Sequence, residues 1–317
     1  MKVSVCIPVF NVAPHLLKAT IDSVIGQQNG FEMEIIISDD ASHVDYRPLS
    51  DGFPPTVVTF HRNSENLGMV RNWNVAVQRS SGEIVMLLGH DDILEPEIFR
   101  NYLGDFQKNP EVVLCSCGRK FIDEQNQELP IKRHVNDRSN IFVTKEKYVL
   151  HYRKILALCL RNGNVIGEPS AVMYRRWALE KVKGYDEGFE HAADLDLHLR
   201  IAQLGSLVYF TNPFLRRRIH RGNLTRKNIV SGKVFRDRIR LFERFRGTAP
   251  FTDQEIRSFR AYLFASSILD LSRATLAWNT SLAWEVLKSI PEYIDFSPSV
   301  YVNYIREIMT RENADAL

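Results

Sequence analysis

The chain is long enough to bury a hydrophobic core, and its composition is that of an ordinary globular protein. It has 317 residues, of which 44% are hydrophobic and 25% charged. A net charge of +3 gives no argument for a nucleic-acid partner, and none is expected. No apolar run approaches the roughly 20 residues that cross a bilayer, and no signal peptide precedes the first strand. We therefore expect a cytoplasmic protein that at most contacts the inner face of the cell membrane.

The four cysteines do not have the spacing of a metal site. Cys6 lies inside an apolar strand pattern, and Cys115 and Cys117 have no second pair with which to form a four-ligand site. We expect these residues and Cys159 to be buried, reduced thiols, which suits a reducing compartment.

Apolar runs that alternate with helical periodicity predict an α/β protein. Strands are predicted at residues 3–10, 34–40, 57–60 and 84–88. Helices are predicted from Pro14 onward and over residues 69–78, where Val70, Trp73 and Val77 fall on the apolar face. Strands that alternate with helices of about a dozen residues imply crossover connections and a mainly parallel sheet flanked by helices.

The middle of the chain is less regular. A strand is predicted at residues 112–117, a loop or hairpin at 120–140 and a helix at 145–160. Residues 194–201 alternate strictly, as a half-buried strand would, but they also place Leu195 and Leu199 on one helical face. We favour the helix, because Gly205 provides a C-terminal stop before a separate strand candidate at residues 207–210.

Two adjacent carboxylates, Asp91 and Asp92, follow the buried strand at residues 84–88. Ligands bind at the carboxyl ends of strands in open α/β sheets, so this position favours a ligand site. Neighbouring carboxylates repel each other unless a cation lies near them, and a divalent cation that carries phosphate oxygens meets that need. The alternative is a turn and helix N-cap ahead of Pro96. Neither a GxGxxG motif nor a Walker loop is present, which argues against dinucleotide dehydrogenases and P-loop enzymes.

Beyond about residue 226 the sequence pattern becomes helical. We predict a boundary there, with one domain at residues 1–225 and a helical C-terminal region at residues 226–317. Residues 236–246 combine an apolar face at Ile239 and Phe242 with a basic face. Such a helix fits anionic lipid headgroups, a second copy in a homodimer, or an acceptor, and it equally fits plain exposure to solvent.

Seven short motifs lie in order along the first domain. They are residues 5–11 (VCIPVFN), 36–42 (IISDDAS), 66–72 (NLGMVRN), 89–92 (GHDD), 167–170 (GEPS), 194–197 (DLDL) and 220–225 (HRGNLT). Each is weak alone, but their order and spacing together resemble the nucleotide-binding half of family-2 inverting glycosyltransferases. The resemblance implies a Rossmann-like GT-A fold, a nucleotide-diphospho-sugar donor, a divalent cation (Mn²⁺ or Mg²⁺), and inversion at the anomeric carbon.

The resemblance also implies roles for five residues that would bind the nucleotide. Pro8 and Phe10 would line the pocket of the base, and Asp40 would accept a hydrogen bond from the base. Arg71 would help to hold the nucleotide, and His90 would contact the ribose.

A second set of residues would carry the reaction. Asp91 matches the metal-binding acid of the family's Asp-x-Asp motif, and His220 matches a position near the diphosphate or the metal. Asp194 matches the general base; its alternative is a capping acid on a surface helix. The chain departs from the family at Gly89, where relatives usually have an acid, and at Ala193, where they usually have glutamate.

We therefore predict a metal-dependent inverting glycosyltransferase that acts in cell-surface polysaccharide synthesis. A cation on Asp91 would stabilise the leaving nucleoside diphosphate, while Asp194 takes the proton of a hydroxyl on a glycan or lipid-linked glycan. One alternative is a sugar nucleotidyltransferase, which normally has a glycine-rich triphosphate loop that residues 8–11 lack. The other is a non-catalytic sugar-nucleotide-binding or scaffold protein, which Gly89 and Ala193 favour.

Overall fold

The computed structural model describes residues 1–27, 30–130, 142, 144–219, 228, 231–276, 280 and 284. The chain divides into two compact units. The first comprises Met1–Tyr152, Asn164–Gly188 and Ala193–His220, and the second comprises Arg153–Gly163, Phe189–Ala192 and Arg221–Leu317. The domain boundary predicted after residue 225 stays a prediction.

The described residues form ten strands and nine α-helices. The strands are β1 Lys2–Val9, β2 Glu32–Asp39, β3 Val58–Arg62, β4 Ile84–Leu87, β5 Ile93–Leu94, β6 Val112–Ile122, β7 Glu128–Leu129, β8 Lys147–Leu150, β9 Met173–Arg175 and β10 Ser206–Arg218. The helices are α1 Pro14–Ile25, α2 Arg47–Ser50, α3 Met69–Gln78, α4 Ile98–Lys108, α5 Tyr152–Asn162, α6 Arg176–Lys181, α7 Ala193–Ala202, α8 Lys233–Phe245 and α9 Asp253–Leu276.

The first unit is built on one sheet, in the order β3-β2-β1-β4-β9-β6-β10-β5. The first four strands in this order are parallel, and β10 runs parallel to β6. The short strand β9 is antiparallel to both β4 and β6, so the sheet is mixed from that point on. The prediction of an α/β fold with a central sheet flanked by helices is confirmed, and its four consecutive parallel strands are the N-terminal ones.

The first parallel strands form where the apolar runs predicted them. In β1 every residue from Val3 to Val9 is buried, since both faces of a parallel strand are covered. Helix α1 begins at Pro14, which suits the first helical turn, and it buries Leu17, Ile21 and Val24 on one face. The carboxyl ends of β1, β2 and β4 consequently lie at one edge of the sheet.

Helix α3 has the predicted bounds but a different buried face. Val70 is buried as predicted, whereas Trp73 and Val77 are only half-buried. Asn72 is buried instead, because its side chain donates to the Ser38 carbonyl over 3.0 Å and accepts from the Ser38 hydroxyl over 2.8 Å. A polar group can be buried at little cost when its hydrogen bonds are satisfied in this way.

The helix predicted at residues 145–160 is wrong in its first part. Residues Lys147–Leu150 form β8, which is antiparallel to β10, and the helix α5 begins only at Tyr152. Aromatic and β-branched residues such as Tyr148 and Val149 favour a strand when a neighbouring strand is there to pair with. The helix predicted at residues 194–201 is confirmed as α7.

The second unit includes α8, whose polar side chains are engaged within the unit. Asp237 is buried, and its Oδ2 accepts hydrogen bonds from the amides of Glu190, His191 and Ala192 over 2.6–2.9 Å. The guanidinium groups of Arg240 and Arg244 lie 5.3 and 4.9 Å from the centre of the Phe189 ring. The basic face predicted for this helix therefore makes contacts within its own unit.

Two further sequence expectations concern the cysteines and the membrane. All four cysteines are free thiols and are buried, as predicted. In the part of the chain that the structure describes, no helix combines the length and the apolarity needed to cross a bilayer.

Candidate active site

The acid pair lies in the loop that follows β4, and Asp92 is the buried member. Its Oδ2 accepts a hydrogen bond from the Ser170 hydroxyl over 2.6 Å, and the Gly89 amide donates to the same hydroxyl over 2.9 Å. Burial raises the pKa of Asp92, and the neighbouring charge of Asp91 raises it further. Asp92 therefore fixes the loop, whereas the Asp91 side chain keeps 15% of its surface exposed.

Arg218, at the end of β10, holds the same loop from the other side. It is 1% exposed, and its amide donates to Oδ1 of Asp92 over 2.9 Å. Its Nε donates to the Asp91 carbonyl over 2.9 Å, and its Nη2 donates to Oδ1 of Asn126 over 2.6 Å. A planar guanidinium can serve several acceptors at once, so this one residue holds both the Asp91 main chain and the Asp92 side chain in place.

The packing around Asp92 leaves little room for a side chain at Gly89. A Cβ at this position would lie 2.9 Å from Oδ2 of Asp92 and 3.2 Å from the Ser170 hydroxyl. The acid that relatives usually have here would collide with the contacts that hold the loop. Glycine at position 89, where relatives usually have an acid, thus occurs together with the hydrogen bond between Ser170 and Asp92.

The residues after β4 fit a divalent cation that a ligand helps to hold. Within the described ranges, no group of three or more His, Cys, Asp or Glu side chains could hold a metal ion alone. Nδ1 of His90 lies 3.7 Å from Oδ1 of Asp91. Mg²⁺ is usually bound by one or two carboxylates together with substrate phosphates, and one accessible carboxylate on Asp91 is such a donor. His220, the second predicted metal residue, lies outside the described residues.

Asp194 lies in the first turn of α7, and its carboxylate is held at both oxygens. Nδ2 of Asn164 donates to Oδ2 over 3.1 Å, and the Leu195 amide donates to Oδ1 over 2.8 Å. Burial raises the pKa of Asp194 to about 7, and the charge of Glu168 adds to the rise while Arg217 opposes it. A carboxylate whose pKa is near neutrality suits proton transfer at physiological pH.

The predicted base pocket lies at the carboxyl ends of β1 and β2. Pro8 is buried, and Phe10, just beyond β1, is 47% exposed. The Asp40 amide donates to the Val9 carbonyl over 2.9 Å, so Asp40 and Phe10 follow neighbouring strand ends. Arg71 is exposed near the start of α3.

The Asp40 carboxylate accepts several hydrogen bonds from the protein itself, which the sequence did not indicate. It is buried, and its Oδ1 accepts from Nδ2 of Asn63 over 3.0 Å and from the Leu67 amide over 2.8 Å. Its Oδ2 accepts from the Gly68 amide over 3.0 Å. Asp40 therefore anchors the loop before α3, and since each carboxylate oxygen has two lone pairs, Oδ2 retains acceptor capacity.

Four residues of the site were not assigned any role from the sequence: Asn164, Glu168, Ser170 and Arg218. The motif at residues 167–170 contributed only to the family resemblance, and residues 216–218 were given no role. The structure shows that Asn164 binds Asp194, and that Ser170 and Arg218 bind Asp92. In the remaining residue, Glu168, the Oε2 atom lies 3.1 Å from Nη1 of Arg119.

Comparison with known proteins decides the family. The family described as "Glycosyl transferase family 2" matches residues 4–183. The chain belongs to this family. It is therefore a glycosyltransferase by membership, and a sugar nucleotidyltransferase is no longer favoured.

Curated relatives of this glycosyltransferase are distant. An uncharacterized protein of Mycobacterium tuberculosis is 28% identical over 72% of this chain and 72% of its own length. An abequosyltransferase of Salmonella typhimurium is 26% identical over 56% of this chain and 54% of its own length. A chondroitin synthase of Escherichia coli is 22% identical over 72% of this chain, which spans only 30% of that longer enzyme.

Solved structures support the fold. Residues 1–349 of the Staphylococcus aureus protein TarS, in complex with UDP-GlcNAc, align with a TM-score of 0.67 at 13% identity, over 93% of this chain and 82% of that one. A mannosyltransferase of Pyrobaculum calidifontis, in complex with GDP-Man and Mn²⁺, aligns with a TM-score of 0.56 at 15% identity, over 99% of this chain and 84% of that one. At these identities the likeness concerns the fold alone.

Proposed function

We propose that this family-2 glycosyltransferase is metal-dependent and inverting. It would transfer a sugar from a nucleotide-diphospho-sugar to a hydroxyl of a glycan or lipid-linked glycan in cell-surface polysaccharide synthesis. The observation that carries the proposal is the segment at residues 164–170. Asn164 at its start binds Asp194, and Ser170 at its end binds Asp92. One short segment thus joins the acid-pair loop to the proposed base.

The donor site of the proposal lies at the strand ends. Phe10 offers an exposed ring on which a base can stack, with Pro8 beside it, and Asp40 would accept from the base through Oδ2. His90 would contact the ribose, and Arg71 would help to hold the nucleotide. Structural neighbours in complex with UDP, UDP-GlcNAc and GDP-Man support a nucleotide-sugar donor.

A divalent cation, Mn²⁺ or Mg²⁺, held by Asp91 would neutralise charge on the leaving diphosphate. The proposal gives His220 a place near the same phosphates. Asp194 accepts the proton of the acceptor hydroxyl as that oxygen attacks the anomeric carbon from the face opposite the diphosphate. Attack from the opposite face inverts the anomeric centre in one step, so no nucleophilic side chain is needed.

The buried cysteines bear on the compartment in which the enzyme would act. Four buried free thiols support a reducing compartment, so we propose the cytoplasm, with contact at the inner face of the membrane where a lipid-linked acceptor lies. The helical C-terminal region would contribute acceptor, membrane-surface or homodimer contacts. The abequosyltransferase and the chondroitin synthase among the relatives support a glycan-building role.

The decisive experiment is ligand binding with and without Mn²⁺. Isothermal titration with UDP, GDP, UDP-GlcNAc and GDP-mannose should give binding of one nucleotide class that depends on Mn²⁺. Asp91→Asn should abolish the dependence on Mn²⁺, whereas Asp45→Asn, an exposed surface change, should not. No binding of any nucleotide by the wild-type protein would refute the proposal.

A non-catalytic sugar-nucleotide-binding protein is the competing proposal, favoured by Gly89 and Ala193. The two are separated by Asp194→Asn, assayed by release of nucleoside diphosphate from the donor in the presence of glycan acceptors. In an enzyme, this substitution removes turnover but leaves donor binding intact. Donor binding by a wild-type protein that releases no nucleoside diphosphate would favour the binding protein.

A further inference from the structure

Glu168 is a carboxylate that the protein satisfies at only one of its two oxygens. Its side chain is 15% exposed, and Oε2 forms an ion pair over 3.1 Å with Arg119, whose side chain is 4% exposed. The other oxygen, Oε1, is buried and has no hydrogen-bond partner in the part of the chain that the structure describes. The Nε of Arg217 lies 3.8 Å from it, which is too far for a hydrogen bond.

The position of Glu168 relates it to both the acid-pair loop and the proposed base. It lies between Asn164, which binds Asp194, and Ser170, which binds Asp92. Its negative charge raises the pKa of both Asp92 and Asp194, so it lies within electrostatic reach of both. If Asp91 holds the diphosphate and Asp194 takes the acceptor's proton, the sugar in transfer must lie between these two groups.

A buried acceptor oxygen without a donor is costly, and native structures seldom keep one without a reason. Pyranose rings carry several hydroxyl groups that donate to carboxylates. We infer that Oε1 of Glu168 accepts a hydrogen bond from a hydroxyl of the transferred sugar, which makes Glu168 a specificity-determining residue for a sugar that carries a hydroxyl at that position. This inference rests on the proposed function. Arg119 holds the carboxylate in place, and the second oxygen faces the ligand.

The test compares each nucleotide with its sugar-bearing form. Isothermal titration in Mn²⁺ would use UDP against UDP-GlcNAc and GDP against GDP-mannose, for the wild-type protein and for Glu168→Gln. Glutamine keeps an oxygen that can accept from Arg119, but its NH₂ group replaces the free acceptor. Binding of the nucleotide sugar should weaken by about tenfold or more, as for the loss of a hydrogen bond to a charged group, while binding of the nucleoside diphosphate stays unchanged.

The control is Glu128→Gln, which changes an exposed glutamate paired with Lys120 and should leave both affinities unchanged. Equal weakening of the nucleoside diphosphate and the nucleotide sugar by Glu168→Gln would overturn the inference, because the effect would then act through the loop. Unchanged affinity for both would overturn it as well. If the wild-type protein binds neither these four nucleotides nor any other nucleoside diphosphate, the proposed function fails, and this inference fails with it.

Discussion

The main-chain amide of Arg218 donates a hydrogen bond to Oδ1 of Asp92 over 2.9 Å, across 126 residues of sequence. The guanidinium of the same residue donates to the carbonyl of Asp91. The Asp91 carboxylate is thus presented by a loop that Arg218 holds at two points, the Asp92 side chain and the Asp91 carbonyl. Preorganisation of this kind is what a charged-ligand site requires, because its groups must not rearrange when the ligand binds.

Arg218→Lys tests this support. Lysine has one ammonium group in place of a planar fork, so it cannot serve the Asp91 carbonyl and Asn126 together. We expect the free energy of unfolding to fall by about 1.5–3 kcal/mol, the usual contribution of a hydrogen bond that involves a charged group, and Mn²⁺-dependent nucleotide binding to weaken. Urea denaturation measures the first effect and calorimetry the second. Arg100→Lys, at an exposed arginine paired with Glu97, is the control; equal effects of the two changes would contradict the role of Arg218.

Asp194→Asn should lower turnover by about 100-fold to 10,000-fold, the usual contribution of a general base. In the wild-type enzyme, kcat/KM should rise with pH through about 7, since the base must be ionised and its pKa is raised to about 7. The variant's residual activity should lack that inflection. A pH–rate profile of the variant that keeps the wild-type inflection would assign the ionisation to another group.

The same pKa predicts an effect of Asp194 on stability. The folded state holds this proton more tightly than the unfolded state, so the free energy of unfolding should decrease as pH rises from about 4 to about 7. Asparagine cannot ionise, so in the Asp194→Asn variant the free energy of unfolding does not decrease in this way. The variant should therefore melt higher than the wild-type protein at pH 8, with a smaller difference at pH 4, in thermal denaturation at matched ionic strength. A difference of equal size at both pH values would count against the raised pKa.

Asn164→Ala tests how the base is held. Asn164 donates to Asp194 and also accepts from the amides of Ile166 and Gly167. Loss of a donor to the ionised carboxylate raises its pKa, so the inflection in kcat/KM should move to higher pH by roughly one unit for each 1.4 kcal/mol of lost interaction. A lower rate with an unmoved inflection would mean that Asn164 acts only on the fold.

His198→Leu should flatten the acid side of the stability profile. His198 is fully buried in α7, and both of its ring nitrogens lack a hydrogen-bond partner among the described residues. Burial lowers its pKa to about 3, so the unfolded state binds a proton more readily and the wild-type protein loses stability as pH falls from about 6.5 toward 3. Urea denaturation at pH 5 and pH 7 should show a smaller difference in the variant. The exposed His15, changed to Gln, should leave the wild-type difference intact.

The sequence predicted the parts of the fold that depend on local burial. Residues 3–10 were predicted as a strand and form Lys2–Val9, because a parallel strand covered on both faces is apolar throughout. β10 was recognised only at residues 207–210, since Thr211, Asn212 and Pro213 interrupt its apolar pattern. Pairing with β6 extends it to Arg218, and that partner is not visible in the local sequence.

In the candidate site, too, the sequence predicted the residues that belong to local motifs and missed those that depend on distant partners. Asp91 and Asp194 could be predicted as candidates because each is an acid after a predicted strand or at the start of a predicted helix, within a motif. Asn164 and Ser170 could not, because their partners lie 30 and 78 residues away and the bonds are between side chains. Such long-range pairs of side chains cannot be predicted from a single sequence.

Asp237 sets a limit on how short an active fragment of this enzyme can be. Its carboxylate accepts hydrogen bonds from the amides of Glu190, His191 and Ala192. The chain continues from these residues directly into α7, which contains Asp194. An expressed fragment that stops at residue 225 would contain all seven motifs and still leave those three amides without their acceptor. The smallest fragment worth assaying therefore extends through α8, to Phe245.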